Sequence, residues 1–210
     1  KAKDKDKDKG KDKSSCGGKE FVFRGAFDTS HPSLRVRLRI AAQVASAVVY
    51  LHANGILHRD LKSANVLLDG DSLEARLCDF GFCKKLSWAR SMSARGKGSP
   101  VTMAPEVFVK GESTRAADTY SFGIVLWELL YCQQPYTHLA DVAEFAFMDY
   151  VVEEHHRPML LDMAQVPEVL RPVQSLIQEC WSPNPSQRPG MKEVVRVLNQ
   201  VVEAADKLLS

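Results

Sequence analysis

The chain has 210 residues, 45% of them hydrophobic, which is enough to form the core of one domain. The formal net charge of +2 is unevenly distributed, because residues 1–20 hold eight lysines against five acidic groups. Residues 21–210 hold 20 basic and 21 acidic side chains. A nearly neutral folded part argues against a general nucleic-acid-binding protein.

The five cysteines are too few, and too irregularly spaced, for a disulfide scaffold or a zinc site. The N-terminal segment is charged and has no apolar signal region. The most apolar stretch, residues 120–131, is shorter than the about 20 residues that cross a bilayer. These features predict a soluble cytoplasmic protein with no membrane partner.

The chain divides into a tail and a folded part. Residues 1–19 are mostly alternating lysine and aspartate with glycine and serine, so they offer nothing apolar to bury. We therefore expect a disordered Lys/Asp-rich tail over residues 1–19 and one partial domain over residues 20–210.

A helix and a hairpin are predicted first along the folded part. From Ser33 to Asn54, apolar side chains recur at three- and four-residue steps, and Gly55 supplies a stop. The apolar run 65–68, the Asp-Gly turn at 69–70 and the run 75–79 predict a hairpin. Residues 82–103 lack periodicity and are predicted to form a long exposed loop.

The remainder is predicted to be mainly helical. Asp118 is a suitable N-cap for a buried helix over residues 120–130. Later helices are predicted at about 141–153, 168–180 and 190–209, separated by proline-bearing loops. The predicted fold is therefore mainly α with a small β-hairpin.

Three motifs follow one another in a fixed order. His58-Arg-Asp-Leu-Lys-Ser-Ala-Asn65 precedes the hairpin, Asp79-Phe80-Gly81 ends it, and Met103-Ala-Pro-Glu106 closes the long loop. Each motif alone is weak, but their order and spacing resemble the C-terminal lobe of a eukaryotic protein kinase. The resemblance covers residues 21–210 and implies the α+β kinase fold, of which this chain would supply the mainly α lobe.

The resemblance assigns chemical roles to five side chains. Asp60 would orient the substrate hydroxyl and accept its proton, and Lys62 would neutralise charge on the γ-phosphate. Asn65 and Asp79 offer the oxygen ligands that Mg²⁺ prefers, and Leu67 would lie under the adenine ring. The implied cofactors are ATP and Mg²⁺, and the implied partner is a protein serine or threonine.

Further positions match structural features of the family. His58 and Phe80 would belong to a packed column between the two lobes, and Gly81 would give its loop backbone freedom. The resemblance also implies a buried ion pair between Glu106 and Arg188.

The resemblance gives two more residues a supporting role. Asp118 resembles the aspartate that holds the catalytic-loop backbone. Ser99 stands where relatives usually have threonine before the substrate-recognition stretch, and its hydroxyl is expected to contact Asp60 and Lys62.

The subgroup and the regulation follow from the same comparison. Lys62, two residues after Asp60, is typical of serine/threonine kinases, and segments 58–68, 121–128 and 180–189 resemble the tyrosine-kinase-like group. In relatives, an arginine at the position of Arg59 pairs with a phosphorylated loop residue. Ser91 or Ser93 is the predicted phosphorylation site, with an unmodified loop as the alternative.

The sequence has no counterpart of the other kinase lobe, since no glycine-rich phosphate loop or Val-Ala-x-Lys strand precedes the first helix. The N-lobe sheet is therefore predicted to be absent, and the surface that it would cover is predicted to be apolar and exposed. The sequence favours an ATP-dependent serine/threonine protein kinase represented by a truncated chain. The alternative is a catalytically silent lobe that binds other proteins as a scaffold.

Overall fold

A computed structural model describes residues 32–85, 99–139 and 142–208. The first helix, α1 (Pro32–Ala53), is the predicted amphipathic helix, and its regularly spaced apolar side chains enter the core. Gly55 follows with a φ of 70°, a left-handed conformation that glycine adopts without steric cost and that ends the helix. The predicted tail over residues 1–19 lies outside the described residues.

The predicted hairpin is confirmed. Strands β2 (Val66–Leu68) and β3 (Ala75–Leu77) pair antiparallel, with Val66 opposite Leu77 and Leu68 opposite Ala75. The turn is held by Asp69, whose Oδ1 accepts hydrogen bonds from the backbone amides of Asp71 and Ser72. Asn65 precedes β2 and Asp79 follows β3, so both residues are at the open end of the hairpin, opposite its turn.

A second antiparallel pair was not predicted. Strands β1 (Ile56–Leu57) and β4 (Lys84–Lys85) pair with Leu57 opposite Lys84, so the segment predicted as loop over 82–103 begins with a strand. Residues 86–98 of that segment lie outside the described residues. This strand pair joins the residues directly before the His58–Asn65 motif to the residues that follow the Asp79-Phe80-Gly81 motif.

Five helices follow, and the predicted ones shift by a few residues. They are α2 (Pro105–Lys110), α3 (Arg115–Tyr131), α4 (Glu144–Val152), α5 (Arg171–Cys180) and α6 (Met191–Leu208). The prediction that Asp118 caps α3 is wrong, because the side chain of Thr114 accepts the amide hydrogen of Ala117 at the helix start. Asp118 lies in the first turn of α3, and its side chain contacts the loop at residues 58–59.

The core is built around α3, which is buried along most of its length. Helix α1 packs against α6 and α3, and α5 packs against α6 and α3. The contact between α3 and α5 is close, since a Cβ at Gly123 would lie 2.8 Å from the Cβ of Cys180.

Among the described residues, none of the helices is both apolar and long enough to traverse a bilayer. The mainly α fold with small β elements is confirmed.

Candidate active site

The Asp60 carboxylate joins two chain segments, its own loop and the segment that contains Ser99. It is 3% exposed, and its Oδ2 lies 2.8 Å from Lys62 Nζ and accepts a 3.1 Å hydrogen bond from Asn65 Nδ2. Its Oδ1 accepts the backbone amide of Ser99 at 3.0 Å. A carboxylate has about four acceptor positions, so these three contacts hold its orientation and leave one position for a further donor.

Asn65 presents an oxygen beside this carboxylate, and Asp79 follows the residue that is hydrogen-bonded to Asn65. Asn65 donates its amide nitrogen to the Asp60 carbonyl at 2.7 Å, which leaves its own Oδ1 available as an acceptor. The Cys78 amide donates to the Asn65 carbonyl at 2.9 Å, so the residue before Asp79 is tied to the same loop. The exposed Asp79 accepts from Gly81 through Oδ1, which leaves Oδ2 for a ligand. An amide oxygen and a carboxylate oxygen fit the ligand preference of Mg²⁺.

Asp118 holds the backbone of the loop that carries Asp60. Its buried carboxylate accepts from the amides of His58 at 3.0 Å and Arg59 at 2.9 Å, and it lies 2.8 Å from His52 Nε2. Arg59 has a φ of 71°, a strained conformation for a residue with a side chain. The two amide hydrogen bonds fix this strained turn directly before Asp60.

Asp118→Asn is expected to lower the free energy of unfolding by about 1–3 kcal/mol, because an amide group leaves one of three buried donors without an acceptor. The measurement is urea unfolding of the two proteins. Asp206→Asn is the matched control, since Asp206 pairs with Arg35 and Arg39 near the surface, where its side chain is 32% exposed. Equal stability of Asp118→Asn and wild type would contradict the holding role.

His58 and Phe80 are in contact. The His58 ring is fully buried, neither of its nitrogens has a hydrogen-bond partner, and its centroid lies 5.8 Å from that of Phe80. A buried imidazole without polar partners acts here by packing. A Cβ at Gly81 would lie 3.1 Å from Asp79 Oδ1, so the missing side chain permits the short contact between Asp79 and the Gly81 amide.

Glu106 and Arg188 form a bidentate ion pair. The two guanidinium nitrogens donate to the two carboxylate oxygens at 2.7 and 2.9 Å. The Arg188 side chain is completely buried and that of Glu106 is 13% exposed. The pair connects the end of the third motif to the loop before α6.

The chain matches the family model described as "Protein tyrosine and serine/threonine kinase" over residues 15–198. It belongs to this protein kinase family.

Relatives from distant organisms agree with the match. The chain is 39% identical over 176 residues to serine/threonine/tyrosine-protein kinase HT1 of Arabidopsis thaliana, an alignment covering 81% of the chain and 41% of the relative. It is 34% identical over 174 residues to dual specificity protein kinase shkC of Dictyostelium discoideum, covering 80% and 33%. It is 34% identical over 163 residues to human mitogen-activated protein kinase kinase kinase 7, an alignment that covers 76% of the chain and 25% of the relative. The chain thus spans less than half the length of these three relatives.

The structure gives the contacts of Arg59 and Ser99, two residues for which the kinase resemblance predicted a supporting role. Arg59 donates through Nε to Ser113 Oγ at 3.0 Å, and burial lowers the pKa of its guanidinium from the ordinary arginine value. Ser99 reaches Asp60 through its backbone amide, whereas the sequence prediction concerned its hydroxyl. Ser91 and Ser93 lie outside the described residues, so the phosphorylation hypothesis stays a prediction.

The hairpin and the turn after Asp79 expose large apolar side chains. Leu67, predicted to lie under the adenine ring, is 57% exposed, and Phe80 is 52% exposed although one face packs on His58. Leu68 and Phe82 are exposed on the same elements. The described residues therefore expose an apolar surface on the hairpin and on the turn after Asp79; that the missing lobe would cover it stays a prediction.

Three supporting residues had no local sequence signal. His52 contacts Asp118, and Ser113 contacts Arg59, across more than fifty positions of the chain. Ser63, inside the first motif, lies near the carboxyl of Glu128 on α3, and burial raises the pKa of that carboxyl. Oε2 of Glu128 is buried without a hydrogen-bond partner. Contacts of this kind depend on the packing of α3 against the loop.

Proposed function

We propose that the chain carries the phosphoryl-transfer residues of an ATP-dependent serine/threonine protein kinase. The observation that supports this best is the buried Asp60 carboxylate, which is contacted by Lys62, Asn65 and the amide of Ser99. Phosphoryl transfer depends mainly on positioning and on stabilisation of charge, and a fixed carboxylate beside a cationic amine provides both.

Each residue has a distinct part in the proposed reaction. Asp60 accepts a hydrogen bond from the substrate hydroxyl, orients its oxygen toward the phosphorus and takes its proton during transfer. The Lys62 ammonium, held 2.8 Å from Asp60, stabilises negative charge on the transferred phosphoryl group. The free oxygens of Asn65 and Asp79 would hold Mg²⁺, which supplies charge neutralisation to the nucleotide phosphates.

The proposed partners are ATP and a protein serine or threonine, with no nucleic acid or membrane required. The proposed location is the cytoplasm. Cys78, Cys83, Cys132 and Cys180 are free thiols, which supports a reducing compartment.

Serine and threonine are the expected acceptors, because Lys62 occupies the position typical of kinases that act on them. The measurement is transfer of the γ-phosphoryl group from ATP, by the native protein, to peptides that differ only in serine, threonine or tyrosine at one position. Labelled serine and threonine peptides with little labelled tyrosine peptide are expected. Equal or greater labelling of tyrosine would contradict this specificity and would resemble the dual specificity in the relatives' names.

A further inference from the structure

Helices α2 and α4 form a second exposed apolar surface, on which none of the proposed phosphoryl-transfer residues lies. A groove of about 400 Å³ is lined by Phe108, Val109, Phe145, Asp149, Val152 and Glu153. We call this surface the α2–α4 groove. Phe108 and Val152 are partly buried and pack on the small cluster around Phe147 and Met148, so the floor of the groove is fixed.

The rim of the groove is apolar and exposed. Phe145 is 70% exposed and Val109 is 47% exposed. A phenylalanine with most of its surface in water contributes little to the core, and an exposed aromatic side chain beside a groove is typical of a protein contact.

The charges on the groove have one sign. Asp149 and Glu153 follow Phe145 at four-residue intervals, which places the three side chains on the same face at the end of α4. Both are exposed, and neither has a salt bridge with any residue that the structure describes. Nearby Glu154 and Glu106 differ, since they are paired with His156 and Arg188.

We propose that the α2–α4 groove binds a segment of a partner protein that carries one bulky apolar side chain flanked by lysine or arginine. The apolar side chain would fill the groove against Phe145 and Val109. The basic side chain would pair with Asp149 and Glu153, which supply charge complementarity at the rim. This inference is independent of phosphoryl transfer, because none of its residues belongs to the proposed reaction.

The test is selection of a random peptide library, displayed on phage, against the immobilised native protein. Selected peptides are expected to combine a bulky apolar residue with lysine or arginine. Their synthetic versions should bind Phe145→Ser at least about tenfold more weakly than wild type, which is the loss typical of a buried anchor. The double variant Asp149→Asn/Glu153→Gln should lose the preference for basic residues and the salt dependence of binding.

Tyr50→Ser is the matched control, because Tyr50 is an aromatic side chain on α1 that is 69% exposed and does not line the groove. It should bind the peptides as wild type does, and the thermal melts of all variants should agree. The proposal would be overturned if the selected peptides bound Phe145→Ser as tightly as wild type, if they were enriched in acidic residues, or if no peptide were enriched at all. So would a dimer in sedimentation that Phe145→Ser dissolves, because the occupant would then be a second copy of the chain.

Discussion

Asp60→Asn is expected to reduce phosphoryl transfer by about 10²–10⁴-fold, the range that a positioned general base contributes. The asparagine amide cannot accept the substrate proton. Its NH₂ group would also face Lys62 Nζ or the Ser99 amide, both of which now donate to Asp60. The measurement is the rate of transfer from ATP to a serine peptide by the native protein and the variant.

The control for this loss is Asp71→Asn, an exposed residue of the hairpin turn that contributes its backbone amide to Asp69. It should keep the wild-type rate. Unfolding midpoints measured on the same samples separate a loss of chemistry from a loss of folded protein. If Asp60→Asn were as active as Asp71→Asn, the role of this carboxylate in transfer would be wrong.

Arg188→Ala is expected to cause the largest loss of stability, about 3–5 kcal/mol, because it leaves the Glu106 carboxylate partly buried without its partner. The guanidinium also donates to the carbonyls of Ser182 and Ala116 at 2.9 Å, and its carbon lies 5.0 Å from the Tyr120 ring centroid. All of these contacts are lost together. Denaturant unfolding measures the effect.

An exposed ion pair gives the comparison for this prediction. Arg196 pairs with Glu193 on the solvent face of α6, where both side chains are about half exposed and water screens their interaction. Arg196→Ala should therefore change the unfolding free energy only slightly. Similar losses of unfolding free energy for Arg188→Ala and Arg196→Ala would show that burial of the Glu106–Arg188 pair does not increase its contribution to stability.

The long elements of the fold were predictable because their sequence is periodic. The helix at Pro32–Ala53 repeats its apolar residues over six turns, and the β2–β3 hairpin is marked by Asp69-Gly70. The β1–β4 pair could not be predicted in this way, since Ile56–Leu57 and Lys84–Lys85 are too short to show alternation. Its partners are separated by the whole hairpin.

Asp118 shows where local rules fail. An aspartate at the start of an apolar helix is typical of an N-cap, yet Thr114 is the cap and Asp118 accepts hydrogen bonds from a loop sixty positions earlier. The kinase resemblance pointed to this contact where the helix rules did not. The roles of Asp60, Lys62, Asn65 and Asp79 likewise came from motif order.

The contacts that orient those residues were less accessible to sequence. The amide of Ser99 on Asp60 joins segments 39 residues apart, and the link between Ser63 and Glu128 needs α3 to lie against the loop. Nothing in the local composition specifies such distances. The sequence predicted which side chains carry the chemistry, and contacts between distant segments determine how those side chains are held.

Binding of ATP with and without Mg²⁺ tests the central claim most directly, using calorimetric titration of the native protein and of Asp79→Ala. The free oxygens of Asn65 and Asp79 predict that Mg²⁺ strengthens ATP binding to wild type and that Asp79→Ala loses this dependence. Asp79 is exposed but has a φ of 59° and accepts the Gly81 amide, so thermal melts of wild type and Asp79→Ala on the same samples separate a loss of Mg²⁺ binding from a loss of folded protein. Absence of ATP binding, or binding that is unaffected by Mg²⁺ and by Asp79→Ala, would contradict the phosphoryl-transfer account and favour a protein-binding lobe.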